Sequence, residues 1–548
     1  MKRTTNSILT ACAVLASATI TQAQPNFTKV TTGPIVSDAA NTEAACWVDF
    51  DGDGNLDLFV TSPDGPNLLY RNAGQGVFTK ITTGPFVNAG AGSYAASWVD
   101  VNNDGLLDLY LAKDGGPSLL FLQQADGSFT QRGYPLTTIS GAAWGDYDGD
   151  GFVDLLSADY ANGMLWHNNG QGGLTVVANS SVHQPGIGAT TWADYDGDGV
   201  LDAFVEAGAF AGGTKSVLYH NQGHGIFTPI TNALTEQNIP LTAAAWADYD
   251  NDGLLDVFVP RTDSSQPVAA FLFHNDGNGN FSKVAQPPFT TDTGDAGSCS
   301  WADYDNDGWL DLFVPDWAGG HNRLYHNNGD GTFTRVLSGP IVSDGGNSQG
   351  SAWGDYDRDG FLDLFVATAV SSGSPPKHYL YHNEGNSNAW IEVKCVGTRS
   401  NRSAIGAKVR VKATSGGKTF WQLREITTGN GWCQNAMEAH FGLGNATNVE
   451  TLHIEWPSGT VQEFQNVAAR QYLTVTEPSR LAPTGTAHPA QFTLEGGRNM
   501  HYDLQASTNL TDWSLLNTIT ITNLDGKALI SDTNVLDSIH RFYRAVLH

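Results

Sequence analysis

Seven stretches of this chain place acidic residues at a spacing suited to holding a hard cation. Each reads D-x-[DN]-x-D-G-x-x-D. Asp49, Asp51, Asp53 and Asp57 form the first set, and Asp100, Asn102, Asp104 and Asp108 the second. The third is Asp146, Asp148, Asp150 and Asp154, and the fourth Asp194, Asp196, Asp198 and Asp202. Asp248, Asp250, Asp252 and Asp256 follow, then Asp303, Asp305, Asp307 and Asp311, and last Asp355, Asp357, Asp359 and Asp363. Oxygens from positions 1, 3, 5 and 9, with the carbonyl of position 7, can wrap a cation that prefers six to eight oxygen ligands, and glycine at position 6 permits the sharp turn between them. Calcium fits better than magnesium, which keeps its waters. The absence of His and Cys from the loops disfavours transition metals. Position 12 of the first loop is Val60 rather than Glu and the flanks read as strands, so these are not EF-hands. One such loop alone could be a solvated Asp/Gly turn. Seven in register predict up to seven bound Ca2+ ions, with Asn102 in place of an acid weakening the second site.

The elements that position these loops repeat with them. First aspartates recur every 46–55 residues, a period that suits a propeller blade or a solenoid unit. Each unit reads as four strands bounded by Gly and Asn. The first is small and apolar and ends at a tryptophan (Trp47, Trp98, Trp144, Trp192, Trp246, Trp301, Trp353) that is expected to pack between units. The loop follows, then a strand such as Leu312-Phe313-Val314. A third of the type Leu324-Tyr325-His326-Asn327 leads through an N-x-G-x-G turn, where Gly and Asn suit positive φ, into a fourth of the type Phe333-Thr334-Arg335-Val336. The seventh unit lacks its fourth strand, and Phe27-Thr28-Lys29-Val30 at the front matches Phe78-Thr79-Lys80-Ile81. A solenoid would need caps, whereas a ring closes by pairing these ends. The fold class is therefore all-β: a seven-bladed β-propeller closed by an N-terminal outer strand.

Connections alternate between the two faces of such a ring. The metal loops and N-x-G-x-G turns share one face, and the loops of variable length share the other. Variable loops on a rigid scaffold are where partner binding is usually built. Tyr160, Phe210 and Trp317 lie in them and are the candidate ligand contacts. Five units carry a histidine in the third strand (His167, His220, His274, His326, His382), but Arg71 and Leu122 stand there in the others. Structural or surface roles are expected for these histidines, ahead of metal or proton chemistry. Calcium itself is expected to support structure. Extracellular modules bind it with dissociation constants of roughly 0.1–1 mM, so at about 1 mM free ion each site would add on the order of 0.4–1.4 kcal/mol by mass action.

The chain is 548 residues long with a net charge of −28. The loops hold 27 of its 56 acidic residues, so about half of the acidity is ligand, and the acidity argues against nucleic acid or an anionic membrane as partner. Lys2 and Arg3, an apolar stretch from Ile8 to Ile20 and Thr21-Gln22-Ala23 read as a secretory signal over residues 1–23. No later segment is apolar enough for a membrane span. Cys46, Cys299, Cys395 and Cys433 remain in the mature chain. They are too few for a disulfide scaffold, though Cys395 and Cys433 fall in one unit and are candidates for a bond, while Cys46 and Cys299 are expected free. No G-x-S-x-G, HExxH or phosphate loop occurs, so no catalytic residue is assigned.

From about Asn386 the loops stop. Trp390–Gly397 and Ile405–Val411 alternate as strands, and His440-Phe441-Gly442-Leu443-Gly444 and Trp456-Pro457-Ser458-Gly459 follow. The seven units resemble the FG-GAP/VCBS repeats of integrin α-like propellers. The next unit resembles the ASPIC/UnbV domain by its G-A-K-V-R-V, F-G-L-G and W-P-S-G signatures at Gly406, Phe441 and Trp456. Such chains are similar to the cartilage acidic protein family and its secreted bacterial relatives. The resemblance implies a propeller over residues 24–385 and an ASPIC/UnbV-like domain over 386–477. A linker over 478–490 and a small β-sandwich-like module over 491–548 follow. It also implies a secreted, calcium-stabilised protein for extracellular protein or glycan binding and adhesion, not an enzyme. The alternative is a lyase-like carbohydrate-active enzyme, which would need a loop calcium with an open position beside a base in a deep cleft.

Overall fold

The computed structural model describes residues 26–135, 141–157, 164–178, 180–182, 187–208, 215–237, 243–262, 267–370, 373–484, 490–497, 500–522, 527–532 and 542–547. The first blade shows how sequence becomes sheet. Ala45–Val48, Asp57–Val60, Leu68–Asn72 and Phe78–Ile81 run as an antiparallel meander, and the first two strands are buried on both faces. That burial explains why Leu58-Phe59-Val60 is continuously apolar rather than alternating. Six such sheets succeed one another through Arg335. The seventh comprises Asn347–Gly354, Asp363–Ala369 and Tyr379–Asn383, completed by Phe27–Lys29 in the register Phe27↔Asn383, Thr28↔His382, Lys29↔Tyr381.

The cores lie between sheets. Separate apolar clusters join each sheet to the next. A last cluster joins Trp47, Leu58 and Tyr70 of blade 1 to Tyr356, Phe365 and Leu380 of blade 7. Trp47 stacks on Tyr356 at 5.8 Å between centroids. The tryptophans pack at these junctions as expected. Trp47, Trp192 and Trp301 also donate Nε1–H to a main-chain carbonyl in the preceding blade's inner strand (3.0–3.1 Å).

The unit after the ring holds two sheets. Ala439–Gly444, Ala389–Val396 and Tyr472–Thr476 form one; Lys418–Glu425, Lys408–Ser415, Asn448–Glu455 and Val461–Ala468 form the other. Between them, residues 427–438 leave the unit and enter the centre of the ring. Cys433–Gln434 adds to blade 1 as a fifth strand, parallel to Ala45–Cys46. Trp144 N–H donates to Thr428 Oγ1 (3.2 Å), Ala96 N–H to the Gly431 carbonyl (3.2 Å) and Trp353 N–H to Asn435 Oδ1 (3.0 Å). Asn430 Nδ2 reaches the Ala243 carbonyl (3.2 Å) and Asn435 Nδ2 that of Trp301 (3.3 Å). The segment thus bonds to six of the seven inner strands or their leading residues and fills the channel. Gly431 is required there: its φ is +83°, and a Cβ would sit 2.5 Å from the Gly141 Cα.

The C-terminal module is a pair of three-stranded sheets. It begins earlier than the sequence suggests. Arg480–Pro483, read above as linker, pairs with Phe492–Glu495 as an edge strand, where a proline ends the ladder without breaking a central one. Cys395 and Cys433 are both free: Cys395 lies in a strand of the second unit, and Cys433 in the channel, where its sulfur accepts from Ser351 N–H (3.3 Å). Cys46 and Cys299 are free as expected.

Candidate metal sites

Each acidic loop closes by the same backbone bonds. The amide of the position-6 glycine donates to Oδ2 of the first aspartate in all seven, at 2.7–3.1 Å. The amide of position 7 donates to Oδ1 of position 5, at 2.9–3.0 Å. Both positions 4 and 6 are left-handed. The glycine at 6 has φ between +88° and +99°, and position 4 is Gly52, Asn103, Gly149, Gly197, Asn251, Asn306 or Arg358 at +58° to +78°. The second requirement went unread in the sequence, although Gly or Asn at six of those seven positions signals it.

The ninth aspartate is the most buried member. Its Oδ1 accepts the amide of the last third-strand residue (Asn72, Gln123, Asn168, Asn221, Asn275, Asn327 or Asn383) at 2.7–2.8 Å. These asparagines do not adopt positive φ; the turn glycines do, as do Gln75, His224 and Asn278 within the turns. Their amide side chains are buried instead and reach back to the preceding blade's loop.

The third-strand histidines stand on the loops rather than on bare surface. Nδ1 of His167, His220, His274, His326 and His382 lies 3.2–3.5 Å from Oδ2 of the third ligand position and 3.1–3.3 Å from Oδ1 of the ninth. The hydrogen bond to that ninth aspartate raises His167, His274 and His382 to about 9. The sheet meander causes this by laying the third strand beside the loop, which sequence spacing alone does not show. The same geometry gathers Asp148, Asp150 and His167, and a histidine with two loop aspartates in each of the other four blades, within 4.8 Å.

Burial, with like-charged neighbours adding to it, raises Asp248 to about 8 and Asp100 to about 7. Burial raises Asp202 to about 9. Asp49 Oδ1, Asp154 Oδ2, Asp202 Oδ2 and Asp357 Oδ1 are buried with no donor among the described residues. Acceptors of that kind are costly unless a cation meets them. The residues fit a divalent metal ion, which neutralises neighbouring carboxylates and keeps them ionised.

The second unit lies over this face and touches the loops directly. Tyr472 donates to Asp355 Oδ2, and Lys408 Nζ to Asp194 Oδ2. Gly442 N–H donates to Asp303 Oδ2 at 3.1 Å, and Asp100 N–H to Ser403 Oγ at 3.0 Å. Arg410 Nη1 reaches the Gly253 carbonyl at 3.4 Å, and Lys394 Nζ lies 3.8 Å from Asp49 Oδ2. A cavity of about 200 Å³ remains between this unit and blades 4–7, bordered by Trp246, Trp301, Glu392, Arg424, Glu425 and His440.

Of the candidate ligand contacts, Tyr160 and Phe210 lie outside the described residues. Trp317 is half-buried, and its amide donates to the Asp295 carbonyl (3.1 Å).

The FG-GAP-like repeat model matches residues 49–111, 100–157, 146–205, 209–259, 263–314 and 316–366, and the ASPIC and UnbV model matches 397–482. Cartilage acidic protein 1 of Mus musculus is 29% identical over 270 residues, covering 47% of this chain and 40% of that protein. The T-cell immunomodulatory protein of Homo sapiens is 23% identical over 357 residues, covering 57% and 55%. The chain therefore spans less than two thirds of either relative. An Agrocybe aegerita lectin structure, described as recognising non-reducing terminal N-acetylglucosamine, aligns at TM-score 0.41 with 17% identity over 61% of this chain and 87% of the lectin. Repeat matches across more than half its length, followed by the match over 397–482, show that the chain belongs to the FG-GAP-like repeat family and carries an ASPIC and UnbV domain.

Proposed function

We propose that this is a secreted, calcium-stabilised scaffold that binds an extracellular protein or glycan. The observation that carries the calcium reading is the set of buried, donorless carboxylate oxygens within loops of uniform geometry. In each loop the aspartates at positions 1, 3, 5 and 9 would hold the ion, with Asn102 substituting in the second. The ion supplies positive charge where burial otherwise forces protonation. It supports the blades rather than performing a reaction.

Coverage of the metal face by the second unit supports binding over a lyase. The first aspartates of five loops, and the position-6 glycine of a sixth, are engaged by that unit's side chains or main chain. A substrate would have to displace those contacts to reach an ion. Partner recognition is therefore assigned to the opposite face, where Trp317 and the loops of variable length lie.

Thermal unfolding after metal stripping and then with titrated calcium tests this. A large calcium-dependent rise in melting temperature is expected, saturating at six or seven ions per chain. Unchanged stability on stripping would refute the structural role and reopen the loops as turns or substrate-accessible sites.

A further inference from the structure

We propose that blade 1 carries its own cation: Arg71 neutralises the loop Asp49–Asp57 and makes it a weak calcium site. The proposal rests on the calcium reading above. Arg71 occupies the third-strand position that faces the loop, where five blades have histidine and blade 2 has Leu122. Its Nε lies 2.5 Å from Asp51 Oδ2 and its Nη2 3.1 Å from Asp53 Oδ2. The guanidinium thus bridges ligand positions 3 and 5 with two hydrogen bonds. The histidine Nδ1 atoms stand instead beside positions 3 and 9.

The chemistry of the two side chains differs in the respect that matters. A guanidinium stays charged at every accessible pH and holds two carboxylates as a fork, whereas an imidazole meets its loop through Nδ1. A calcium ion entering loop 1 must displace that fork or accept a fixed positive charge beside it. Lys394 adds a second cation, 3.8 Å from Asp49 Oδ2.

Because ligand charge sets calcium affinity, a binding constant at least about tenfold weaker than in the histidine blades is expected.

Equilibrium dialysis of the full chain against radiocalcium at about 0.1 mM free ion, within the range of extracellular modules, tests this in four proteins. They are the wild type, Arg71→His, Asp51→Asn/Asp53→Asn, and the triple variant. The wild type and the Asp51→Asn/Asp53→Asn variant should bind equal numbers of ions. Arg71→His should bind up to about 0.4 ion more, the occupancy a site of roughly 0.1 mM gains at this free calcium, and the triple variant should lose that gain. If Asp51→Asn/Asp53→Asn removes an ion from the wild type, or Arg71→His gains none, the proposal fails while the calcium reading stands. No binding in any protein would overturn both. Arg71→Gln replaces Arg71→His should the latter fail to fold.

Discussion

The side-chain amide of Asn72 donates to the carbonyl of Tyr356 at 2.7 Å, although 284 positions separate the two residues. The same Nδ2 donates to Leu56 O at 3.1 Å, and the Asn72 backbone amide donates to Asp57 Oδ1 at 2.7 Å. One residue therefore fixes the ninth ligand of its own loop and holds the loop of the neighbouring blade. Asn168, Asn221, Asn275, Asn327 and Asn383 do the same at 2.7–2.8 Å, and Gln123 reaches Phe50 O at 3.1 Å. The metal loops are linked all round the ring, across the junction of its ends included.

Asn72→Ala should expose the value of this link. It strands two buried carbonyls, each costing about 1–3 kcal/mol when unsatisfied. Thermal unfolding in saturating calcium should show a loss of about 2–4 kcal/mol in total. Gln123→Ala, which breaks a longer bond, should cost less. Equal melting temperatures for Asn72→Ala and wild type would show that apolar packing alone closes the ring.

The stripped protein should become less stable as pH rises. Burial holds Asp57 and Asp248 at about 8 and Asp100 and Asp355 at about 7 in the folded chain. The unfolded value is about 3.9. Between about pH 4 and 8 the folded state thus binds more protons than the unfolded one, and stability falls as pH climbs through that window. The histidines raised to about 9 act in the same direction. Calcium competes with these protons, so its stabilising increment should be small at pH 5 and large at pH 8. Melting curves at both values, with and without the ion, check this. A stripped chain that melts higher at pH 8 than at pH 5 contradicts it.

The ring was legible because its chemistry is local and repeated: loop spacing, the tryptophan, and Phe27–Val30 supplying the missing strand. Three features were not. The histidines fall on the loops only once strands pair, since His167 and Asp148 are brought together by a meander rather than by sequence spacing. The third-strand asparagines look like turn residues, and their buried role depends on a carbonyl from another blade. Residues 427–438 have no apolar period at all. Their hydrogen-bond partners in the channel are largely main-chain groups, and Ala436 and Met437 pack singly on apolar clusters, so nothing in their pattern distinguishes them from a surface loop.

Gly442→Ala should disturb one metal loop from outside it. A Cβ there would lie 2.1 Å from Asp303 Oδ2 and 2.4 Å from the Asn306 backbone. The strand is buried, so the clash has no easy relief, and overpacking of this kind costs about 1–3 kcal/mol. Calcium stoichiometry should fall by one ion, that of loop 6. Retention of every ion with unchanged stability would mean that the second unit does not constrain the loop.

Gln434→Ala should loosen the channel segment. Gln434 is buried, and its side chain accepts from Trp98 N–H and donates to Trp98 O, both at 2.9 Å. Those two groups belong to the inner strand of blade 2 and have no water to turn to once the glutamine is shortened. Leaving both unsatisfied costs about 2–4 kcal/mol. Gln434→Glu separates the two halves of the contact: a carboxylate can accept from Trp98 N–H but cannot donate to Trp98 O, and it adds a charge in a closed channel. Equilibrium unfolding in denaturant should therefore rank wild type above Gln434→Ala, with Gln434→Glu no better than alanine. Tryptophan fluorescence should report the change, because Trp98 lies beside the altered residue. If Gln434→Glu matched the wild type, the amide would be a spectator and the segment would be held by its other bonds to the ring.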